Sequence, residues 1–347
     1  MPQGARARGV RAFEAGGAMS GMVQPQRILI VALDNLGDVV FTSALTPPLR
    51  DAFPYAQIDV LAKSYTGAVA ALIPHVATVV SADPFWAVPR GQSRPSAVAF
   101  VRSMAAVAKR RYDLAILSEA PWRAAAAVAA ARIPVRIGLE RRRNRRFLTH
   151  CLDAQNAHRP VVREQARLLS ALGIFPAEPT YRLDVARLGD ARGAVARQLP
   201  PHYVAFHPFA GDPARCVALT RWNELASAMH SIGIPVLWIG TVAELARIRP
   251  HRLPTDLYAD DIDRASLRTT AAAIAGAVLF VGHDSGPLHV AAAFGVPVVG
   301  IFAPGQPDRT FPQGTGAWRM VSRQTPDLVT TALILHEIES LGVLSTG

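Results

Sequence analysis

Lysine is almost missing from this chain. Lys63 and Lys109 are the only two, against 35 arginines, and none lies in the second half. Cysteine is nearly as scarce. Cys151 and Cys216 stand far apart, which excludes a disulfide framework and a zinc-ligand pattern and fits a reducing compartment. No apolar run approaches 18 uninterrupted residues, so no transmembrane helix is expected. The first 24 residues are rich in Gly and Arg and lack an apolar core segment, so they do not read as a signal peptide. They read as a disordered tail, with Met19 and Met22 as alternative starts.

What remains is apolar and long. Half of the 347 residues are hydrophobic and 18% are charged, which suits two well-buried α/β domains better than one core. The charge is uneven. Residues 1–185 carry 24 basic against 13 acidic side chains, whereas residues 186–347 carry 13 of each. The whole net charge of +11 therefore lies in the first half, densest at Arg141, Arg142, Arg143, Arg145 and Arg146. A basic half implies an anionic partner: nucleic acid, an acidic membrane surface or a phosphorylated substrate. For the run itself, a solvated loop in an arginine-rich chain is an equal reading.

Apolar strands alternate with helical spacing throughout. In the first half, strands are expected at 27–33, 57–62, 76–81, 113–118 and 135–138. Helices are expected at 39–53, broken by Pro47 and Pro48, and at 97–110, 122–131 and 159–172. An extended, polar stretch from Pro176 to about Asp190 reads as a linker. A second series follows, with strands at 202–206, 235–239, 278–281 and 298–302 and helices at 222–232, 242–248 and 266–275. A last amphipathic helix is expected at 327–341. Such alternation predicts parallel sheets wound on both faces, in domains spanning 25–185 and 186–326.

Val278–Pro304 is the most informative stretch. It reads as strand, tight turn, short helix and strand, with Pro287 at the helix start and Gly295 at its stop. The turn His283-Asp284-Ser285-Gly286 feeds free backbone N–H groups and a positive helix dipole, a phosphate site in waiting, with His289 one turn on. Asp284 would repel a phosphate, so a sugar hydroxyl or a backbone N–H is its expected partner. Gly37-Asp38 directly follows the first strand, at the edge where open α/β sheets bind ligands. Asp38 is either the N-cap of the next helix or a functional carboxylate.

Both blocks resemble the glycosyltransferase family of the ADP-heptose:lipopolysaccharide heptosyltransferases. The donor signature of that family is matched by Gly282, Asp284, Ser285, Gly286, His289, Gly295 and Pro297, and its opening Gly-Asp by Gly37 and Asp38. The resemblance implies the GT-B fold, two facing Rossmann-like domains, with the last helix (327–347) crossing back to the first. It implies inverting transfer of a sugar, by analogy a heptose from an ADP-sugar, to an anionic lipopolysaccharide-core glycolipid. Asp38 is then the base. The donor is held by Asp284, Ser285, Gly286, His289 and the His207 loop, and by Gly240 and Glu244, although Glu244 reads equally as a helix-start carboxylate. Acceptor contacts fall to Asn35, Gly37, Arg141 and Arg142. No metal or cofactor is implied, nor nucleic acid, and the expected place is the cytoplasm, peripheral on the inner membrane.

One departure matters. Family members carry a lysine two residues before a Trp; aligned on Trp222, that position is Thr220. Arg221 or Arg215 could supply the charge instead. The departure puts in doubt the donor's identity or full activity, and so leaves open another nucleotide-sugar donor for a surface polysaccharide; a nucleotide-sugar epimerase sharing the GT-B architecture and a binding protein without catalysis are the other readings. Asp261-Ile262-Asp263 reads as solvated acid rather than a metal motif, and His150, His158 and His251 lack metal spacing.

Overall fold

The computed structural model describes residues 24–87, 94–119, 121–154, 159–262 and 266–344. The expected tail therefore lies outside the described residues except for Gln24, as do His158 and Asp263. Twelve described strands form two six-stranded sheets. The first holds β1 (Arg27–Ala32), β2 (Gln57–Ala62), β3 (Val76–Ser81), β4 (Leu114–Leu117), β5 (Val135–Leu139) and β6 (His150–Leu152), in the order β3-β2-β1-β4-β5-β6. The second holds β7 (Val204–His207), β8 (Val236–Trp238), β9 (Leu257–Tyr258), β10 (Leu279–His283), β11 (Val298–Phe302) and β12 (Trp318–Ser322), in the order β12-β11-β10-β7-β8-β9. Every pair is parallel. Each sheet thus repeats the dinucleotide-binding order, and strand order reverses at β1/β4 and at β7/β10, where ligand crevices form.

The strands are apolar on both faces because helices cover both. Ile28 and Ile30 face one core cluster, Leu29 and Val31 another. The first of these clusters continues into the second domain, taking in Leu188, Val195, Ala205, Leu237, Ala271 and Phe280. Residues 182–187 stitch the halves together. Arg182 N donates to Ser43 Oγ at 2.9 Å, Asp184 N to Leu72 O at 2.9 Å, and Leu183 N to Ala293 O at 2.9 Å. The expected linker is extended only to Asp184. A 3₁₀ turn, Val185–Leu188, and the helix Asp190–Ala196 follow, and bury Leu188 and Val195 against the second domain.

Several expectations are corrected. The last helix, Thr331–Leu341, does not cross back: Ile334 and Ile338 are buried in the second domain's outer core. Its apolar stripe finds its cover on β11, β12 and the helix Leu219–Ser231. The stretch 159–172 is helical only over Val161–Ala166 and then tightens to 3₁₀. The helix after β1 breaks at Ser43–Leu45, ahead of the prolines, which open its second piece, Thr46–Ala52. That placement leaves their missing N–H groups harmless.

The two domains meet through the helices Leu36–Thr42 and Gly286–Ala293. A Cβ on Gly286 would lie 2.8 Å from Leu36 Cβ, and one on Gly37 would lie 3.2 Å from His289 Cδ2. The Leu36 side chain lies against Gly286 and leaves no room for a methyl group. Gly286→Ala is expected to cost about 1–3 kcal/mol in chemical denaturation, by forcing the helices apart.

Candidate active site

The site is built from strand ends. The first strand ends at Ala32, and the loop Leu33-Asp34-Asn35 leads into the helix Leu36–Thr42. Asn35, not Asp38, is the N-cap. Asp38 sits at the third helical position, where its Oδ2 accepts from Asn35 N at 3.2 Å. A carboxylate there gains from the helix dipole. Its surroundings oppose that. Burial, then Asp34, then Glu119 push the Asp38 carboxyl up to about 7, against the Asn35 N–H and Lys63. Burial likewise raises Asp34 and Glu119.

Three cations answer these carboxylates. Lys63, directly after β2, is only 6% exposed and acts on Asp34 and Asp38. Arg141 pairs with Glu119 at 3.4 Å. Arg309, from the second domain, also acts electrostatically on Glu119, so its charge is felt across the cleft. Tyr65 closes the group, with its hydroxyl 3.5 Å from Asn35 Oδ1. The arginine run forms a tight turn after β5, held by buried Asn144, whose Nδ2 donates to Leu139 O at 2.8 Å. Arg142 is exposed there. A cavity of about 400 Å³ lies in the same domain, lined by Phe85, Trp86, Arg94 and Arg123.

On the other side, Ser285 is the extended N-cap of Gly286–Ala293. The N–H groups of Ser285 and Gly286 have no partner within that helix. Asp284 is held on three sides: by Arg215 Nη2 at 2.8 Å, by Thr310 Oγ1 at 3.1 Å, and by His289 Nε2, 3.4 Å from its Oδ1. Burial works against ionisation of Asp284, but His289 and Arg215 outweigh it and hold the carboxyl below its usual range. The expected partner of Asp284, a sugar hydroxyl or backbone N–H, is thus replaced in the structure by these side chains.

Other expected residues stand differently. His289 is 3% exposed; its ring packs on Phe41 with centroids 4.6 Å apart, and its Nδ1 meets the Tyr181 hydroxyl at 3.2 Å. Both ring nitrogens are engaged, so the ring braces the cradle rather than opening toward a diphosphate. His207, at the end of β7, donates from Nδ1 to Ile239 O at 2.9 Å, and burial pushes its pKa down. Glu244 closes a capping box with Thr241, accepting from Thr241 N at 2.8 Å, after the tight turn at Gly240. Arg221 turns outward to Glu224 at 3.2 Å, and Thr220 is exposed beside it. Of the two arginines offered in place of lysine, Arg215 alone enters the cradle. Its Nε also donates to Pro304 O at 3.1 Å.

Sequence reasoning missed Lys63, Glu119, Asp34, Tyr181, Thr310 and Arg309. Lys63 and Glu119 had a signal, since they stand one and two residues past the carboxyl ends of β2 and β4. The acidic pair Asp260 and Asp261 is tied to Arg249, at 2.6 and 2.8 Å, away from this site.

The raised Asp38 carboxyl has a stability consequence. Its native pKa, about 7, lies above the ordinary value of 3.8, so the folded state holds this proton more tightly than the unfolded chain. The stability it contributes is lost as pH rises through that window. Asp38→Asn is therefore expected to melt higher than the parent at about pH 8, with the gain vanishing near pH 4, by thermal denaturation across pH.

The model of Glycosyltransferase family 9 (heptosyltransferase) matches residues 100–332. Lipopolysaccharide heptosyltransferase 3 of Escherichia coli K12 is 25% identical over 301 residues, 79% of this chain and 81% of its own. Two solved structures share the fold: a glycosyl transferase of family 9 from Veillonella parvula (TM-score 0.77, 18% identity, 92% of this chain and 98% of that one) and the E. coli ADP-heptose lipopolysaccharide heptosyltransferase II (TM-score 0.76, 20% identity, 91% and 98%). Two facing parallel sheets, the donor-type helix start and a match over most of the chain agree: this protein is a GT-B glycosyltransferase belonging to Glycosyltransferase family 9 (heptosyltransferase).

Proposed function

We propose that this enzyme moves a heptose from ADP-heptose to an anionic lipopolysaccharide-core acceptor, with inversion. The observation that carries the reading is a carboxyl raised to about 7, Asp38, one residue from the glycine that touches the donor-side helix. A base poised near working pH can take a proton from a sugar hydroxyl. In this reading Asp38 accepts the acceptor's hydroxyl proton, the oxygen attacks the anomeric carbon, and the bond to the diphosphate breaks on the opposite face. The departing charge falls to the N–H groups of Ser285 and Gly286 and to Arg215.

Support for the donor comes from the matched relatives, one of which is the E. coli ADP-heptose lipopolysaccharide heptosyltransferase II. Support for an anionic acceptor comes from the basic first half, where Arg141 pairs with Glu119, a carboxylate that acts on Asp38. A place on the cytoplasmic face of the inner membrane follows from such an acceptor; among the described residues no helix is long and apolar enough to cross a membrane. A second reading keeps the chemistry and changes the donor. It is favoured by Thr220 at the aligned lysine position, which leaves Arg215 as the cation in the cradle, because a planar fork and a point charge grip a diphosphate differently.

Turnover of a nucleotide-sugar panel with a deacylated core acceptor tests both. ADP-heptose is expected to be used, and use of another donor alone would overturn the first reading. Asp38→Asn is expected to lower kcat about 10²–10⁴-fold with donor affinity nearly intact. Lys63 lowers the pKa of Asp38, so Lys63→Met is expected to move the acid limb of the kcat/KM profile to higher pH, read from rate against pH.

A further inference from the structure

We infer that Tyr181, in the segment joining the domains, is a positioning residue for the donor site: its hydroxyl sets the tautomer of His289 and, through His289 and Asp284, aims Arg215.

The chain of contacts is continuous. Gln313 N lies 3.0 Å from the Tyr181 hydroxyl, which lies 3.2 Å from His289 Nδ1. His289 Nε2 lies 3.4 Å from Asp284 Oδ1, and Asp284 Oδ2 lies 2.8 Å from Arg215 Nη2. Proton direction follows from what each group can do. A backbone N–H only donates, so the Tyr181 oxygen accepts from Gln313. The hydroxyl proton then needs its own acceptor, and Tyr181 is 0% exposed, so water does not serve. Nδ1 is the acceptor within reach. That leaves the imidazole proton on Nε2, facing a carboxylate oxygen that can only accept. The opposite tautomer would set Nε2 and Oδ1 lone pair to lone pair and strand a buried hydroxyl proton, a costly arrangement.

With Asp284 fixed, Arg215 is held at two points, Nη2 on the carboxylate and Nε on Pro304 O. Those bonds leave Nη1 as the part of the fork free of these partners. The segment carrying Tyr181 also bonds to both domains through Arg182, Leu183 and Asp184. Hence the aim of the donor-side cation depends on the joint between the halves.

The ring of Tyr181 also packs on Phe41, with centroids 5.5 Å apart. Tyr181→Phe keeps that packing and removes only the hydroxyl. Two readouts test the inference; the kinetic one rests on the donor reading above, and the spectroscopic one does not. By ¹⁵N NMR of the imidazoles, His289 is expected as the Nε2–H tautomer in the parent and as a mixture in Tyr181→Phe. An unchanged tautomer overturns the inference, whatever the donor. In kinetics, Tyr181→Phe is expected to lower donor kcat/KM about five- to thirtyfold with acceptor KM unchanged, and to add nothing in an Arg215→Ala background. Losses that add in the double variant would overturn the link to Arg215. Failure of the parent to use ADP-heptose would strike the donor reading alone, leaving the tautomer measurement to decide.

Discussion

The bare contact between the helices Leu36–Thr42 and Gly286–Ala293 sets everything else in place. The first helix carries Asp38, and the second begins at the Ser285-Gly286 turn. Their separation is fixed by the absence of a side chain at Gly286 and Gly37. Two sheets that each form a ligand crevice would be two half-sites if packed through bulky residues. Packed through glycine, with the His289 ring against Phe41, they bring a carboxylate loop and an N–H cradle to one seam.

Charge is divided across that seam. The first domain gathers three carboxylates, Asp34, Asp38 and Glu119, whose mutual repulsion and burial favour keeping protons, with Lys63 and Arg141 limiting the effect. The second domain sets Arg215 on an ionised Asp284. The environments of the two carboxyls push them in opposite directions, which suits the division of proton acceptance and anion stabilisation proposed above. Beneath the cradle, burial and the neighbouring His207 and Arg215 push His283 down to about 3, so its ring adds no positive charge beside the guanidinium near neutral pH.

Much of this was legible in the sequence, for identifiable reasons. Strands buried on both faces stand out as apolar runs, so β1, β2, β3 and β11 were placed to within a residue. The turn at Ser285-Gly286-Pro287 announced its helix by chemistry alone. Short edge strands such as β6 and β9 escaped because a few residues on a sheet margin carry no periodicity. The linker misled because Leu188 buries itself in a stretch whose overall composition is polar. His289 was assigned to the diphosphate because its spacing from the turn says nothing about which way the ring faces, and Tyr181 left no local mark at all. Roles that depend on two segments meeting across domains cannot be read along one.

The near absence of lysine has a practical side. Lys63 is buried, and Lys109 ends the exposed helix Ala97–Lys109 on the outer flank of the first domain. Among side chains, amine-reactive reagents should therefore mark a single accessible point, remote from the seam, so a dye or surface tether attached there would leave the working cleft unobstructed.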